Sequence, residues 1–203
     1  KAFHYSSSGK SEITIKEGAV ISHEGIEFLI ETNMIGDHFK SNIAGAIFIA
    51  YLNGISVQDS LLAIKHFPGV RRRSEFIGIA ADVSVYDDYA HHPTEIEATI
   101  TSLKNHIEGK LFVVFQPHRY TRTFQHLDKF KASLKKADES IVVDIYPSGE
   151  VPIPGVSSKN LDGENIKYIK SMRAVPSYLI NRVSSGDSII TIGAGDITLL
   201  GPQ

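Results

Sequence analysis

Four short runs rich in apolar, β-branched residues, at positions 83–86, 111–115, 140–145 and 188–192, set the strongest constraint on what this chain can fold into. Runs of that length and composition suit strands buried on both faces. The stretches after the first three are long enough to carry a helix or loop across a sheet, and such alternation implies an α/β fold, a mostly parallel sheet with helices packed on it. Pro93 stands where a helix would begin, with Glu95 in its first turn and Ile96, Ile100, Leu103 and Ile107 at helical spacing. Two further helices are predicted, over 123–136 on Phe124, Leu127, Phe130 and Leu134, and over 175–183.

The first third follows another rhythm. Period-2 segments at 12–16 and 27–31, separated by Gly18 and Gly25, predict a small antiparallel meander. From Asn42 onward Ile43, Ala44, Ile47, Phe48, Ala50, Tyr51 and Leu52 form a helical apolar face that ends at Gly54, and Ser56 is placed to cap a second helix reaching about Lys65. Pro68-Gly69 is a strong breaker followed by the chain's only charge cluster, Arg71-Arg72-Arg73, which makes it the best candidate boundary, and two domains are predicted, 1–70 and 71–203. The formal charge is −2 and no like-charged run exceeds that triplet, which leaves no electrostatic case for nucleic acid or a membrane surface as partner. With no cysteine there is no disulfide or thiolate chemistry, and a reducing cytoplasm is the natural setting. No apolar stretch approaches the ~18–20 residues of a membrane span, so a soluble cytoplasmic chain is expected.

In open α/β sheets ligands sit beyond the carboxyl ends of the strands, and the residues just after each apolar run are rich in polar chemistry. They are Asp87-Asp88-Tyr89-Ala90-His91-His92-Pro93, Gln116-Pro117-His118-Arg119-Tyr120-Thr121-Arg122-Thr123, Tyr146-Pro147-Ser148-Gly149-Glu150 and Gly193-Ala194-Gly195-Asp196. Asp87-Asp88 suits either a site or plain turn and cap chemistry. His91 and His92 are adjacent and point different ways, unlike the i, i+4 pair of a zinc helix. Arg119 and Arg122 at a helix start are either solvated charges or an anion site; cations there oppose the helix dipole by about 0.3–1 kcal/mol each, which a carboxylate or phosphate would relieve. The glycine loop matches only part of a dinucleotide motif, because Thr198 stands at its third glycine. Gly9-Lys10-Ser11 imitates the end of a P-loop, yet His4 occupies the position of the first glycine. If the protein uses ATP, the phosphate cradle has to lie outside these residues.

The segments 87–96 and 115–123 together closely resemble the C-terminal part of the Mur ligases, in particular the branch that adds L-alanine to UDP-N-acetylmuramate in peptidoglycan synthesis. Phe67-Pro68-Gly69-Val70-Arg71-Arg72-Arg73, Gly149-Glu150-Val151-Pro152-Ile153 and Gly193-Ala194-Gly195-Asp196-Ile197 fall in the family's order and extend the resemblance over essentially the whole chain. Related murein peptide ligases share the first motif but lack the His-Arg-Tyr-x-Arg pattern. The resemblance implies that 1–70 is the tail of a central ATP-binding domain and 71–203 a Rossmann-like amino-acid-binding domain. It further implies that the P-loop and most Mg2+ ligands belong to missing N-terminal and central portions, leaving this chain inactive alone. By the same resemblance Arg119 and Arg122 clamp the L-alanine carboxylate with help from Tyr89, His91 and His118. His91 accepts the amine proton, and Asn42, Arg72, Arg73 and Asp88 serve ATP.

Two positions depart from the family pattern. Asp37-His38-Phe39-Lys40-Ser41-Asn42 stands where His-Asn and a second Asn are usual, and Ser74 replaces an aromatic after the arginines. Read without the resemblance, the same residues also fit a free-standing module for a small anion or nucleotide, or a metal-dependent hydrolase built on Asp87, Asp88, His91 and His92.

Overall fold

The computed structural model describes residues 5–6, 13–16, 20–23, 26–32 and 34–201. Gly9-Lys10-Ser11 and the turns at Gly18 and Gly25 lie outside the described residues. The chain divides into two compact units after Gly69.

In the first unit, strands β1 (Tyr5–Ser6), β2 (Ile13–Lys16), β3 (Val20–His23) and β4 (Ile26–Leu29) form a sheet in the order β1-β2-β3-β4. Strands β2 to β4 are the expected antiparallel meander, and β1 adds to it in parallel. Helix α1 (Asp37–Leu52) begins earlier than the apolar pattern suggests, and α2 (Val57–Lys65) follows. Ser56 caps α2 as its residue type predicts, its Oγ accepting from the Asp59 amide at 3.0 Å. Ile43, Ala44, Ile47 and Phe48 are buried with Ile30 and Val57. Tyr51 and Leu52, expected on the same apolar face, are exposed, and on α1 the buried cluster ends at Phe48.

The second unit is a six-stranded sheet in the order β5-β6-β10-β7-β8-β9. Its strands are β5 (Glu75–Ala80), β6 (Val83–Asp88), β7 (Leu111–Phe115), β8 (Glu139–Val142), β9 (Ile166–Tyr168) and β10 (Ser188–Ile192). All neighbours run parallel except β5, which pairs antiparallel with β6. Two strands escape the sequence pattern. The β5–β6 hairpin turns on Ala81 and Asp82, both at positive φ (49° and 63°), where a turn of this kind usually announces itself with Asn or Gly. Strand β9 has three residues, too few to show a period.

Helix α3 (Pro93–Lys104) starts at Pro93 as predicted and buries Ile96, Ile100 and Leu103. The single helix expected over 123–136 is two, α4 (Tyr120–Gln125) and α5 (Leu127–Leu134). No proline or glycine stands at the junction; instead Thr123 Oγ1 donates to the Arg119 carbonyl at 2.8 Å, a back-bond of the type that bends helices. The break takes Phe124 off the expected stripe, leaving it 67% exposed, while Phe130 and Leu134 are buried. Phe130 packs its ring 5.3 Å from Phe115 on one face of the sheet. The opposite face carries Phe112, Val114, Ile141 and Val143 beneath α6 (Val175–Leu179), a shorter helix than the one expected over 175–183. Alternate residues of β7 thus serve two cores.

Candidate functional site

The register aligns the carboxyl ends of the parallel strands in one row: Asp88 opposite Ile192, Ile192 opposite Phe115, Phe115 opposite Val142 and Val142 opposite Tyr168. Strand β10 lies between β6 and β7; the chain leaves β6 and β7 for α3 and α5, which pack on each other, but leaves β10 for Ile197 and Leu200 in the opposite core, and exits that diverge in this way open a crevice of the kind α/β sheets use for ligands. The loops after β6, β7, β8 and β10 meet on this rim.

Asp87 and Asp88 are the last residues of β6 rather than a turn after it, and both are buried. Strand alternation sends them to opposite faces. Asp87 Oδ1 accepts from Thr191 Oγ1 at 2.6 Å, and Oδ2 accepts from Thr198 Oγ1 at 2.7 Å and Arg72 Nε at 3.2 Å. The Arg72 guanidinium also donates to the Gly193 carbonyl at 2.6 Å and lies 4.9 Å from the Tyr89 ring centroid. Arg72 therefore points inward and ties three loops together. Asp88 Oδ1 accepts from the Ala90 amide and Oδ2 from the Ser74 amide, both at 2.7 Å. Burial pushes the Asp88 carboxyl above its ordinary range against those bonds. Arg73 is exposed, its guanidinium 5.9 Å from the Tyr89 ring. Ser74, which departs from the family's aromatic, is buried and donates to Asp88 through its hydroxyl as well, at 3.2 Å.

The histidines diverge as adjacent residues should. His91 Nδ1 lies 3.1 Å from the Tyr89 carbonyl, which only accepts, so this nitrogen carries the proton and Nε2 of the neutral ring is left as an acceptor. Its ring faces His118, 6.2 Å away. His92 turns to His126 instead, 5.1 Å between rings, and its Nδ1 caps α3. Glu95 completes that cap, accepting from the His91 and His92 amides at 3.0 and 3.2 Å; burial works against its ionisation, but these amides hold its carboxyl below the usual range. Among the described residues no three or more histidine, aspartate or glutamate side chains are grouped to hold a metal ion. With Asp87 and Asp88 committed to internal donors, the metal-hydrolase reading has no centre here.

Arg119 precedes α4 at φ 74°, its amide donating to the Tyr146 carbonyl at 2.8 Å. Arg119 is the residue preceding this six-residue helix and Arg122 its third residue, so both cations stand at the helix start as expected; the helix is so short that Arg122 lies in its last turn as well, where the dipole favours a cation. Arg122 Nη1 donates to His118 Nδ1 at 3.4 Å. Neither Arg119 nor Arg122 has a carboxylate within ion-pair distance among the described residues. His118 is stacked on Tyr146, with ring centroids 5.6 Å apart and planes within 12°. Partial burial, then the charges of Arg122, His91 and Arg119, push its pKa below the ordinary histidine value. The rim thus presents two unpaired guanidiniums beside Tyr89, His91 and His118, an arrangement suited to gripping a small carboxylate. Asn42 lies exposed on α1 of the first unit.

The glycine loop is needed for close packing. A side chain at Gly195 would collide with the Gln116 carboxamide and come within 2.7 Å of the Tyr146 ring. Gln116 is itself buried, donating to Asp196 at 2.7 Å and accepting from the Ile197 amide at 3.2 Å. Sequence reasoning assigned no role to Gln116, Thr191, Thr198 or Tyr146. Thr191 was detectable as the polar residue inside an apolar strand, whereas Thr198 is recognisable only once the sheet order is known.

Residues 72–195 match the family model of the Mur ligase, glutamate ligase domain. The chain is 41% identical over 181 residues to the UDP-N-acetylmuramate--L-alanine ligase of Cutibacterium acnes, and 43% identical over 175 residues to that of Mycolicibacterium gilvum. These alignments cover 85% and 83% of this chain but 38% and 37% of those proteins, so the chain spans under two fifths of the length of the curated relatives it matches. The crystal structure of UDP-N-acetylmuramate-alanine ligase from Thermotoga maritima superposes with a TM-score of 0.75 at 25% identity, covering 96% of this chain and 45% of that one. Parallel sheet, rim chemistry and family match agree, and the chain belongs to the Mur ligase family.

Proposed function

We propose that this chain supplies the amino-acid-binding part of an ATP-dependent ligase that joins L-alanine to UDP-N-acetylmuramate in the bacterial cytoplasm. The observation that carries the reading is the pair of unpaired guanidiniums, Arg119 and Arg122, on a rim shared with Tyr89, His91 and His118. In the proposed reaction the γ-phosphoryl group of ATP passes to the carboxylate of UDP-N-acetylmuramate, leaving ADP and an acyl phosphate. The alanine nitrogen then attacks the acyl carbon, and the tetrahedral intermediate expels phosphate. Catalysis of this kind rests on placing the amine and stabilising charge. Arg119 and Arg122 hold the alanine carboxylate, with Tyr89 and His118 as neighbouring walls. The bare Nε2 of His91 is the acceptor for the ammonium proton, whose loss frees the nucleophile.

On the nucleotide side, Arg73 and Asn42 are the exposed candidates for ATP. Arg72 and Asp88, engaged with Asp87, Gly193, Ser74 and Ala90, serve by shaping the turn that carries Arg73. Mg2+ bound with ATP would supply charge stabilisation for the phosphoryl transfer; among the described residues no three or more histidine, aspartate or glutamate side chains are grouped to hold it. No helix among the described residues is long and apolar enough to cross a membrane.

The test is phosphate release on mixing the chain with the remaining N-terminal and central portion of the Cutibacterium acnes relative, ATP, Mg2+ and UDP-N-acetylmuramate. Release that depends on L-alanine and is lost in Arg119→Ala is expected. Tight binding of alanine or ATP by the chain with no release in the mixture would instead make it an autonomous binding module. Release that depends on a murein peptide and not on alanine would move it to the peptide-ligase branch.

A further inference from the structure

The turn that carries both arginines is not held by its own helix. Arg119 sits at φ 74°, a left-handed conformation that disfavours a side chain of this size, and α4 has no side-chain cap. Such a conformation persists only where neighbouring structure imposes it. That neighbour is the segment after β8. The Tyr146 amide donates to the Pro117 carbonyl and the Arg119 amide to the Tyr146 carbonyl, each at 2.8 Å. Ser148 and Gly149, at φ 50° and 82°, then fold the segment back so that the Glu150 amide meets the Pro147 carbonyl at 3.0 Å. This return brings the Glu150 carboxylate onto Thr121. One oxygen accepts from the Thr121 amide at 3.0 Å and the other from its hydroxyl at 2.7 Å.

We propose that Glu150 is a positioning residue: by gripping Thr121 with both carboxylate oxygens, it holds the turn between Arg119 and Arg122 in the shape that receives the amino-acid carboxylate. The inference rests on the alanine-clamp reading above and extends it to a residue that does not itself touch substrate. Thr121 lies between the arginines in the chain, two residues after Arg119 and directly before Arg122, so a bond to its amide and its hydroxyl limits the placement of both. The negative charge also faces Arg119, and it opposes the cations that depress the His118 pKa. Hydrogen bonds from Thr121 to the ionised form keep the Glu150 carboxyl below its usual range, so the grip is charged at neutral pH.

Glu150→Ala, Glu150→Gln and Thr121→Val, with Arg119→Ala as control, test this in the mixed enzyme by alanine-dependent phosphate release. The same variants of the chain alone are followed through the Thr121 amide resonance and the thermal midpoint. Loss of the grip is expected to raise KM for L-alanine at least ~10-fold in Glu150→Ala, with a smaller change in kcat and none in KM for ATP. Glutamine still accepts from the amide and can donate to the hydroxyl, so Glu150→Gln should recover most of the affinity, with Thr121→Val falling between. If Glu150→Ala unfolds, the other two variants carry the same comparison. An alanine KM within twofold of the parent in all three variants, while Arg119→Ala abolishes release, would overturn the role of Glu150 alone. Unchanged kinetics in Arg119→Ala as well would overturn the clamp itself.

Discussion

Truncating Arg72 to alanine would test whether the rim loops are held as a unit. The side chain is one quarter exposed, and its partner Asp87 is almost completely buried. Breaking a buried ion pair by removing one member costs about 3–5 kcal/mol, because the remaining charge is left without its counterion. Here Asp87 keeps two hydroxyl donors, Thr191 and Thr198, which places the loss toward the lower end, about 3 kcal/mol. The bond to the Gly193 carbonyl also disappears, but water reaching the vacated space satisfies that oxygen, so this adds little. For a domain of this size about 3 kcal/mol corresponds to a fall of roughly 10 °C in Tm. Urea unfolding of Arg72→Ala, alone and in the Asp87→Asn background, provides the assay. In the second background no buried carboxylate is stranded, so the cost of losing Arg72 should shrink by about 1–3 kcal/mol. A single-variant loss below about 1 kcal/mol, or equal losses in both backgrounds, would refute the view that Arg72 serves Asp87.

Two further outcomes follow from the same rim. His118 and His126 both titrate below the ordinary histidine value of 6.5, burial being the first cause in each. The unfolded chain therefore binds protons near pH 6.5 that the folded chain refuses, and stability should rise with pH through the window below 6.5 and fall as pH drops through it. Urea midpoints at pH 7.5 and 5.5 should show a slope that shrinks in a His118→Gln/His126→Gln double variant; an identical slope would contradict it. Gly195→Ala forces a methyl group against the Gln116 carboxamide and the Tyr146 ring, and overpacking of this kind should cost about 1–3 kcal/mol, read as a drop in Tm. An unchanged Tm would show that the loop has room to move.

Much of this arrangement was legible in one dimension because it depends on local rules. The strand at 111–115, the start of α3 at Pro93 and the Ser56 cap all follow from burial pattern, fixed φ and side-chain acceptance, and each stands where those rules place it. The elements that escaped lack a local signal. The β5–β6 turn uses Ala81 and Asp82 at positive φ without glycine, and the α4–α5 break has no proline. The first is held from a distance, by the Gly186 amide and the Ser185 hydroxyl on Asp82; the second goes with the Thr123 back-bond, which the residue type alone does not announce.

The order of polar residues along the chain was enough to collect Tyr89, His91, His118, Arg119 and Arg122 on one rim, since parallel strands must present their carboxyl ends on the same side. Which of these polar groups are free and which are spent internally is a different matter. Arg72 and Arg73 are neighbours of identical chemistry, yet one reaches the buried Asp87 and the Gly193 carbonyl while the other stays exposed beside the Tyr89 ring. Glu150 and Thr121 likewise meet across 29 residues of sequence. Contacts of that separation depend on strand order and loop return, and strand order carries no mark in the local pattern of residues.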